Sequence, residues 1–238
     1  MSTDKIDYDI SWQSWSEMID FSPAPKHRRR IILGLMNSLA PKNVLDIGCG
    51  NGRLLDEINK KMKIPVCGID LSHSVIERNK RIYPNYEFHH LDIQTDYLDK
   101  KYDIVICSEV LEHLENVEQA IINISKMVNR YLILTLPKGK IFPIDKKVGH
   151  EKHFSKSEIF HLLEKNGFKI IKYFEWGFPF HTIYKYLINV FPNLTLPEFA
   201  EKKYGFLKKL FSTGLYYLFF LNFYNFGLQI VVCAERKF

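Results

Sequence analysis

Several features that mark specialised protein classes are missing from this chain of 238 residues. Its four cysteines, Cys49, Cys67, Cys107 and Cys233, form no Cys-x-x-Cys pair, which argues against a zinc site or a disulfide framework. No internal repeat with a period of about 20 to 50 residues is present, which excludes a solenoid. Residues 1–20 are polar and acidic and lack the apolar core of a secretory signal. We therefore expect a cytosolic protein with reduced, buried thiols.

A large charge imbalance is also missing. Lys and Arg number 33 against 27 Asp and Glu, so the formal net charge is +6. An excess of this size favours a solvated basic surface over a nucleic-acid-binding one. Apolar residues make up 46% and charged residues 25%, which is typical of a folded globular protein and excludes a disordered chain. Nothing in the composition specifies an oligomeric state.

Short apolar runs alternate along the chain with stretches of helix length. The predicted strands are residues 43–47, 65–69, 87–90, 103–107, 131–136, 169–174 and 228–234. The predicted helices are residues 25–39, 53–61, 74–82, 117–128 and 156–166. Strands rich in β-branched and apolar residues, alternating with amphipathic helices, predict an α/β fold with a doubly wound parallel sheet.

The last quarter of the chain differs in composition. Of 34 aromatic residues, 18 fall between Phe174 and Phe226, and no charged residue occurs from Leu210 to Ala234. That length admits a membrane-spanning helix, but Gly214 and polar residues interrupt it. We predict a buried helix followed by a core strand. A membrane-surface contact through residues 202–226 is the alternative, because four lysines flank the apolar residues: Lys202, Lys203, Lys208 and Lys209.

A glycine-rich loop carries the strongest chemical signal. The segment Asp46-Ile47-Gly48-Cys49-Gly50-Asn51-Gly52, called the glycine loop below, follows a predicted strand and precedes a predicted helix. Glycines there let the backbone turn tightly and approach a ligand closely. Asp70 ends the next strand, where its carboxylate is placed to accept hydrogen bonds from ribose hydroxyls. Asp92 ends the strand after that. This pattern predicts a nucleoside-binding site.

The position of Asp46 distinguishes between nucleoside cofactors. A dinucleotide loop runs Gly-x-Gly-x-x-Gly and binds pyrophosphate at the helix N-terminus. Here the spacing is Gly-x-Gly-x-Gly, and Asp46 would repel pyrophosphate but suits a ligand with an ammonium group. The loop therefore favours an amino-acid-bearing nucleoside over NAD.

Together these motifs resemble the class I S-adenosylmethionine-dependent methyltransferases, over about two-thirds of the chain. The glycine loop is similar to the first motif of that family, and Leu91-Asp92-Ile93 to its adenine-binding motif. The segment Ser108–Leu114 and residues 150–168 resemble the subfamily that acts on small molecules, quinones and lipids.

The resemblance implies S-adenosyl-L-methionine as cofactor and a Rossmann-like seven-stranded mixed sheet of order 3-2-1-4-5-7-6. It implies a set of cofactor-binding residues: Asp46, Gly48, Cys49, Gly50, Gly52, Asp70, Leu71, Asp92, Ile93, Ser108 and Glu109. Asp70 would bind the ribose, and Asp92 would lie near the exocyclic amine of the adenine.

The same resemblance divides the chain into three parts. Residues 1–40 are expected to form an N-terminal helical cap, with Trp12 and Trp15 as lid or packing residues. Residues 41–177 and 227–238 would form the cofactor-binding domain. The aromatic-rich residues 178–226, called the insertion below, would form a helical lid between the sixth and seventh strands or serve only for packing.

Transfer of an activated methyl group mainly requires that the acceptor is positioned and loses its proton. Histidine suits that task near neutral pH, and the candidates are His113, His150 and His153. We predict an enzyme that methylates oxygen or nitrogen of a small, apolar or lipid-linked acceptor, without a metal ion.

Two alternatives compete with this prediction. Glu109, Glu112 and His113 resemble part of the metal site of RNA 2′-O-methyltransferases that act on small RNAs, so a metal-dependent RNA enzyme is one of them. A catalytically idle subunit that binds the cofactor is the other.

Overall fold

Seven strands build a single sheet in the computed structural model, which describes residues 20–190 and 205–237. The order is β3-β2-β1-β4-β5-β7-β6, as predicted. The strands are β1 (Val44–Ile47), β2 (Val66–Asp70), β3 (Glu87–His90), β4 (Tyr102–Ser108), β5 (Val128–Pro137), β6 (Phe168–Trp176) and β7 (Gln229–Arg236).

Helices cover both faces of this sheet. They are α1 (Pro23–Leu39), α2 (Arg53–Met62), α3 (His73–Ile82), α4 (Val117–Met127), α5 (Pro143–Lys147), α6 (Lys156–Lys165), α7 (Phe180–Val190) and α8 (Phe206–Leu218), with 3-10 turns at Leu111–His113 and Phe219–Leu221. One apolar cluster packs α4 and α6 against the sheet, and a second packs α1, α2 and Trp176 against its other face.

Burial explains which strands lie in the centre. Every residue of β1 and β2 is buried, and β1 pairs in parallel with both β2 and β4. Strand β7 lies antiparallel between β5 and β6, which makes the sheet mixed, as expected. The crossover to β4 beside β1 opens a crevice at the carboxyl ends of the strands, where open α/β sheets bind ligands.

Local signals in the sequence account for several element ends. Ser155 and Glu158 form a reciprocal capping box that begins α6, and Gly167 follows its end with φ of +80°. All four cysteines are buried thiols, as expected for a reduced protein.

The insertion leaves the sheet after β6 and returns at β7 through a narrow neck. The Phe178 amide donates to the Phe226 carbonyl at 3.3 Å, and the Asn225 amide donates to the Glu175 carbonyl at 2.8 Å. Gly227 has φ of +141°, and a Cβ there would collide with the Trp176 carbonyl. Glycine is therefore required where the chain re-enters the sheet.

The prediction of a buried helix before the last strand is wrong. Strand β7 is buried, but on α8 only Ser212 is buried, and Phe206 is 80% exposed. The apolar stripe of α8 points away from the sheet because its opposite side packs on α1, and the Ser212 hydroxyl donates to the carbonyl of Phe21, just before α1. Trp12, Trp15, Lys202 and Lys203 lie outside the described residues. Within the described ranges, no helix has the length and apolarity needed to cross a bilayer.

Candidate active site

The glycine loop connects β1 to α2 at the crevice. Gly48, Gly50 and Gly52 all have positive φ angles, of 67°, 50° and 74°. A side chain at Gly48 would also collide with Val110, so this position requires glycine for conformation and for space. The loop thereby exposes its backbone to the cavity in front of it, as a close-fitting ligand site requires.

Asp70 fixes the conformation of the glycine loop from the end of β2. Its two carboxylate oxygens accept hydrogen bonds from the Gly50 and Ser72 amides, both at 2.9 Å. The Asn79 side-chain amide donates to the Gly50 carbonyl at 2.6 Å and closes the loop from α3. Both backbone groups of Gly50 are therefore bonded to buried side chains, which holds the loop in one conformation.

A cavity of about 440 Å³ lies against this loop. All predicted cofactor-binding residues line it except Gly52, which instead precedes α2 with its Cα close to the Tyr83 ring. Asp92 lies at the far end, where its carboxylate accepts the Gln94 amide at 2.9 Å. The volume and the mixture of apolar and carboxylate groups fit a nucleoside carrying an amino acid.

Asp46 is buried at the base of the cavity. Burial, together with the neighbouring Asp70 carboxylate, raises the pKa of Asp46 to about 8. The group therefore carries its proton over most of the neutral range when no cation is present. An ammonium group at this position would favour the ionised form, because opposite charge stabilises a carboxylate.

The three predicted catalytic histidines form a row. Only His113 lines the cavity, and its Nδ1 donates to the Gly149 carbonyl at 3.0 Å. The ring of His150 meets the His113 ring edge-on at 4.8 Å, and His150 Nδ1 lies 3.0 Å from His153 Nε2. His150 and His153 therefore stand behind His113, away from the cavity.

The environments of these rings separate them chemically. Burial lowers the pKa of His113, so the ring is neutral at pH 7. Because a carbonyl only accepts hydrogen bonds, the proton sits on Nδ1 and the lone pair lies on Nε2. Burial, with smaller contributions from His113 and His153, lowers the pKa of His150 to about 2. His150 is thus a poor proton acceptor.

Arg28 is a further charged residue of the cavity wall. This residue of α1 lines the cavity and pairs with Glu109 at 3.1 Å, and both side chains are largely buried. Glu109 has φ of +55° at the end of β4, and it also accepts a hydrogen bond from Thr135 at 3.3 Å. The sequence analysis missed Arg28 as a site residue. Three consecutive arginines near the start of α1 were the available signal.

A second ion pair joins the insertion to this region. Lys185 of α7 lies 3.2 Å from Asp145 of α5, and both side chains are more than 90% buried. Asp145 also accepts the Phe142 amide at 2.9 Å and lies 3.6 Å from His153. The row of histidines therefore ends on a contact with the insertion.

Glu112 is the most deeply buried acid of the site. Burial raises its pKa, and neither carboxylate oxygen has a hydrogen-bond partner among the described residues. The possible metal-ligand atoms of Glu112, His113 and His150 lie within 4.8 Å of one another. Those of Asp145, His150 and His153 form a second set at the same spacing. Both sets have the donor types that bind divalent transition metals. Glu109, the third residue of the metal-dependent alternative, belongs to neither set.

Comparison with known proteins gives a family match. The sequence model of a methyltransferase-domain family matches residues 25–173. A ubiquinone biosynthesis O-methyltransferase of Coxiella burnetii is 32% identical over 111 residues. That match covers 44% of this chain and 44% of the relative, so the chain spans less than half the length of this relative.

Solved structures share the fold. Magnesium protoporphyrin IX methyltransferase from Synechocystis PCC 6803, with bound S-adenosylhomocysteine, aligns with a TM-score of 0.58 and 19% identity. The alignment covers 90% of this chain and 84% of that one. The N-methyltransferase NodS of Bradyrhizobium japonicum WM9 aligns with a TM-score of 0.60 and 15% identity, over 95% and 98% of the two chains.

Proposed function

Because the chain belongs to the class I S-adenosylmethionine-dependent methyltransferases, we propose that it methylates an oxygen or nitrogen atom of a small, apolar or lipid-linked acceptor. The observation that carries this proposal is the placement of His113. Its neutral ring lies on the wall of the same cavity as the glycine loop, with the lone pair on Nε2. A ligand bound at the loop and an acceptor beside it would both contact this ring.

The residues of the cavity fit S-adenosylmethionine. Asp46 would face its ammonium group, Asp70 its ribose and Asp92 its adenine, while the open backbone at Gly48 and Gly50 would hold the methionine part. The cofactor supplies a methyl group already activated on a sulfonium. What remains for the protein is to orient the acceptor, exclude water and remove a proton.

His113 performs the proton transfer in this proposal. Its Nε2 accepts the proton of the acceptor hydroxyl or amine, and the Gly149 carbonyl stabilises the resulting imidazolium through Nδ1. Arg28 and Glu109, which also line the cavity, hold each other in place through their 3.1 Å pair. The O-methyltransferase named among the relatives supports a hydroxyl acceptor, and the aromatic insertion supports an apolar one.

Cofactor binding is tested first, by thermal shift with S-adenosylmethionine and S-adenosylhomocysteine. A ligand at about 100 times its Kd should stabilise the protein by about 2.7 kcal/mol, and Asp70→Asn should weaken this effect. Asp99→Asn, an exposed aspartate away from the cavity, is the matched control. Absence of a shift in the folded protein would contradict the proposed cofactor site.

Turnover is tested by release of S-adenosylhomocysteine in the presence of a phenol with a short isoprenoid tail, a primary amine or an RNA oligonucleotide. His113→Ala should lower kcat by about 100-fold or more, whereas His161→Ala on the exposed side of α6 should not change it. Selective methylation of RNA would overturn the acceptor proposal. Tight cofactor binding without turnover on any acceptor would indicate the idle subunit.

The assay is repeated with EDTA and with added Mg²⁺ or Mn²⁺. If His113 acts as the base, chelation leaves kcat unchanged. Loss of activity that an added divalent ion restores would assign Glu112, His113 and His150 to a metal site and overturn the role of His113 as base.

A further inference from the structure

The insertion presents an apolar face to the outside of the molecule. Most of the exposed large apolar side chains among the described residues lie in it, on α7, on α8 and on residues 220–226. We call the following residues the outer face: Ile183, Tyr186, Leu187, Val190, Phe206, Leu207, Leu210, Phe211, Tyr217, Phe220, Leu221, Phe223, Tyr224 and Phe226. Exposed apolar side chains in this number within one segment are typical of an interaction surface.

Helix α8 shows how this face is built. Phe206 and Leu207 are 80% and 77% exposed, and Leu210, Phe211 and Tyr217 follow at helical spacing with at least 60% exposed. At 3.6 residues per turn these five positions cover an arc of about 140° on one side of the helix. The opposite side of α8 packs on α1, and this contact directs the apolar stripe toward solvent.

Positive charge surrounds the apolar stripe. Lys208 and Lys209 flank it on α8, and Lys209 lies over the Phe21 ring at 4.1 Å. On the neighbouring α1, Lys26 lies over the Tyr216 ring at 4.2 Å, and Arg30 lies over the Phe220 ring at 3.9 Å. No acidic residue occurs in the sequence from Gly205 to Ala234. The outer face is thus apolar in its centre and cationic at its edge.

The combination of an apolar centre and a cationic edge favours an anionic bilayer over a second copy of the chain as the partner of this face. Two copies of the same cationic edge would repel each other across a symmetric interface. An anionic bilayer offers the complementary arrangement, because its headgroups attract lysine and arginine while aromatic and aliphatic side chains enter the acyl boundary. The amphipathic helix of a peripheral protein shows the same combination of an apolar stripe and flanking lysines.

The outer face also lies next to the candidate active site. Helix α7 contributes Lys185 to the pair with Asp145, and α1, on which α8 packs, contributes Arg28 to the cavity wall. A bilayer that contacts α7 and α8 would therefore touch two helices that pack on elements of the candidate active site.

We propose that the outer face docks the protein on the surface of a bilayer that contains anionic lipids, from which it takes its acceptor. The acceptor part of this inference rests on the proposed function, but the docking itself does not. The protein would lie on the membrane through α7, α8 and residues 220–226 and would not span it.

Flotation of the full chain with vesicles tests the docking. Vesicles of phosphatidylcholine with 30 mol% phosphatidylglycerol, roughly the anionic content at which basic segments bind, are compared with pure phosphatidylcholine. The wild type should float with the anionic vesicles and release at high salt. Phe206→Ser combined with Phe211→Ser should reduce the bound fraction at least tenfold. The matched control, Ile82→Ser combined with Ile171→Ser, removes two exposed apolar residues of the cofactor-binding domain and should bind as wild type.

Two further measurements distinguish failure of the docking from failure of the proposed function. The thermal shift with S-adenosylmethionine should be the same in the Phe206/Phe211 variant as in wild type, since neither residue lines the cavity. Vesicle binding without turnover would contradict the proposed function and support the docking. No binding to anionic vesicles, or equal binding by the variant, would overturn the docking. Sedimentation that shows a dimer dissolved by the same two substitutions, without vesicle binding, would assign the face to a second copy.

Discussion

The glycine loop and the insertion differ in which side chains they bury and which they expose. Around the loop, buried polar groups find partners within the chain: Asp70 accepts two amides and Asn79 bonds the Gly50 carbonyl. In the insertion, the buried His181 Nδ1 and Thr182 hydroxyl have no partner among the described residues, and the apolar residues face outward. The loop is thus held by hydrogen bonds from buried side chains, whereas the insertion turns apolar side chains toward solvent, as on a surface that binds a partner or a membrane.

The ion pair between Lys185 of the insertion and Asp145 of α5 gives the largest expected effect. Lys185→Met should lower the free energy of unfolding by about 3 to 5 kcal/mol, because Asp145 would remain buried without its ion-pair partner. Urea denaturation measures the loss. Lys165→Met is the control, since its pair with Glu118 has both side chains more than half exposed and should contribute less than about 1 kcal/mol. Equal losses in both variants would mean that the insertion is not held by this pair.

The burial of Asp46 in the glycine loop can be tested through the pH dependence of the free energy of unfolding. The folded-state pKa of Asp46, about 8, lies above the unfolded value of 3.8. The contribution of protonated Asp46 is therefore fully present below about pH 4 and is lost as pH rises through 8. Without cofactor, wild type should lose about 3 kcal/mol relative to Asp46→Asn between pH 5 and 7. Parallel stability profiles from urea titrations at pH 5, 6 and 7 would contradict this expectation.

The smallest effect comes from adding one methyl group in each region. Gly48→Ala should destabilise the protein, because φ is +67° and Val110 occupies the space. Gly214→Ala, in the middle of α8 with nothing within 4 Å, should stabilise it by about 0.5 to 1 kcal/mol. Thermal unfolding of both variants measures the opposite signs. A loss of stability in Gly214→Ala would show that α8 is packed more closely than its exposure indicates.

Sequence reasoning succeeded where the physical cause is local. The glycine loop and the strand that ends at Asp70 both depend on neighbours within a few residues, and the structure has them as predicted. The strand order followed from the resemblance, and periodicity supplied only the alternation of strands and helices.

What sequence reasoning missed depends on distant packing. The apolar residues of α8 predict burial by composition, and only the packing of Ser212 and Tyr216 toward α1 turns them outward. The row of histidines likewise arises because residues 113 and 150 meet across two separate loops. Their order from the cavity, which separates His113 from the other two, is not encoded in their spacing.

The neck of the insertion has a consequence for how this protein can diversify. Residues 178 and 226 are hydrogen-bonded neighbours, so the segment between them begins and ends at one point on the sheet. Because the entropy of closing a loop grows only slowly with its length, this segment can change in length with little entropic cost, provided that the Lys185–Asp145 pair and the packing of α8 on α1 are kept. Under the proposed function, in which the aromatic insertion favours an apolar acceptor, such a change of length would alter acceptor specificity and leave the glycine loop unchanged.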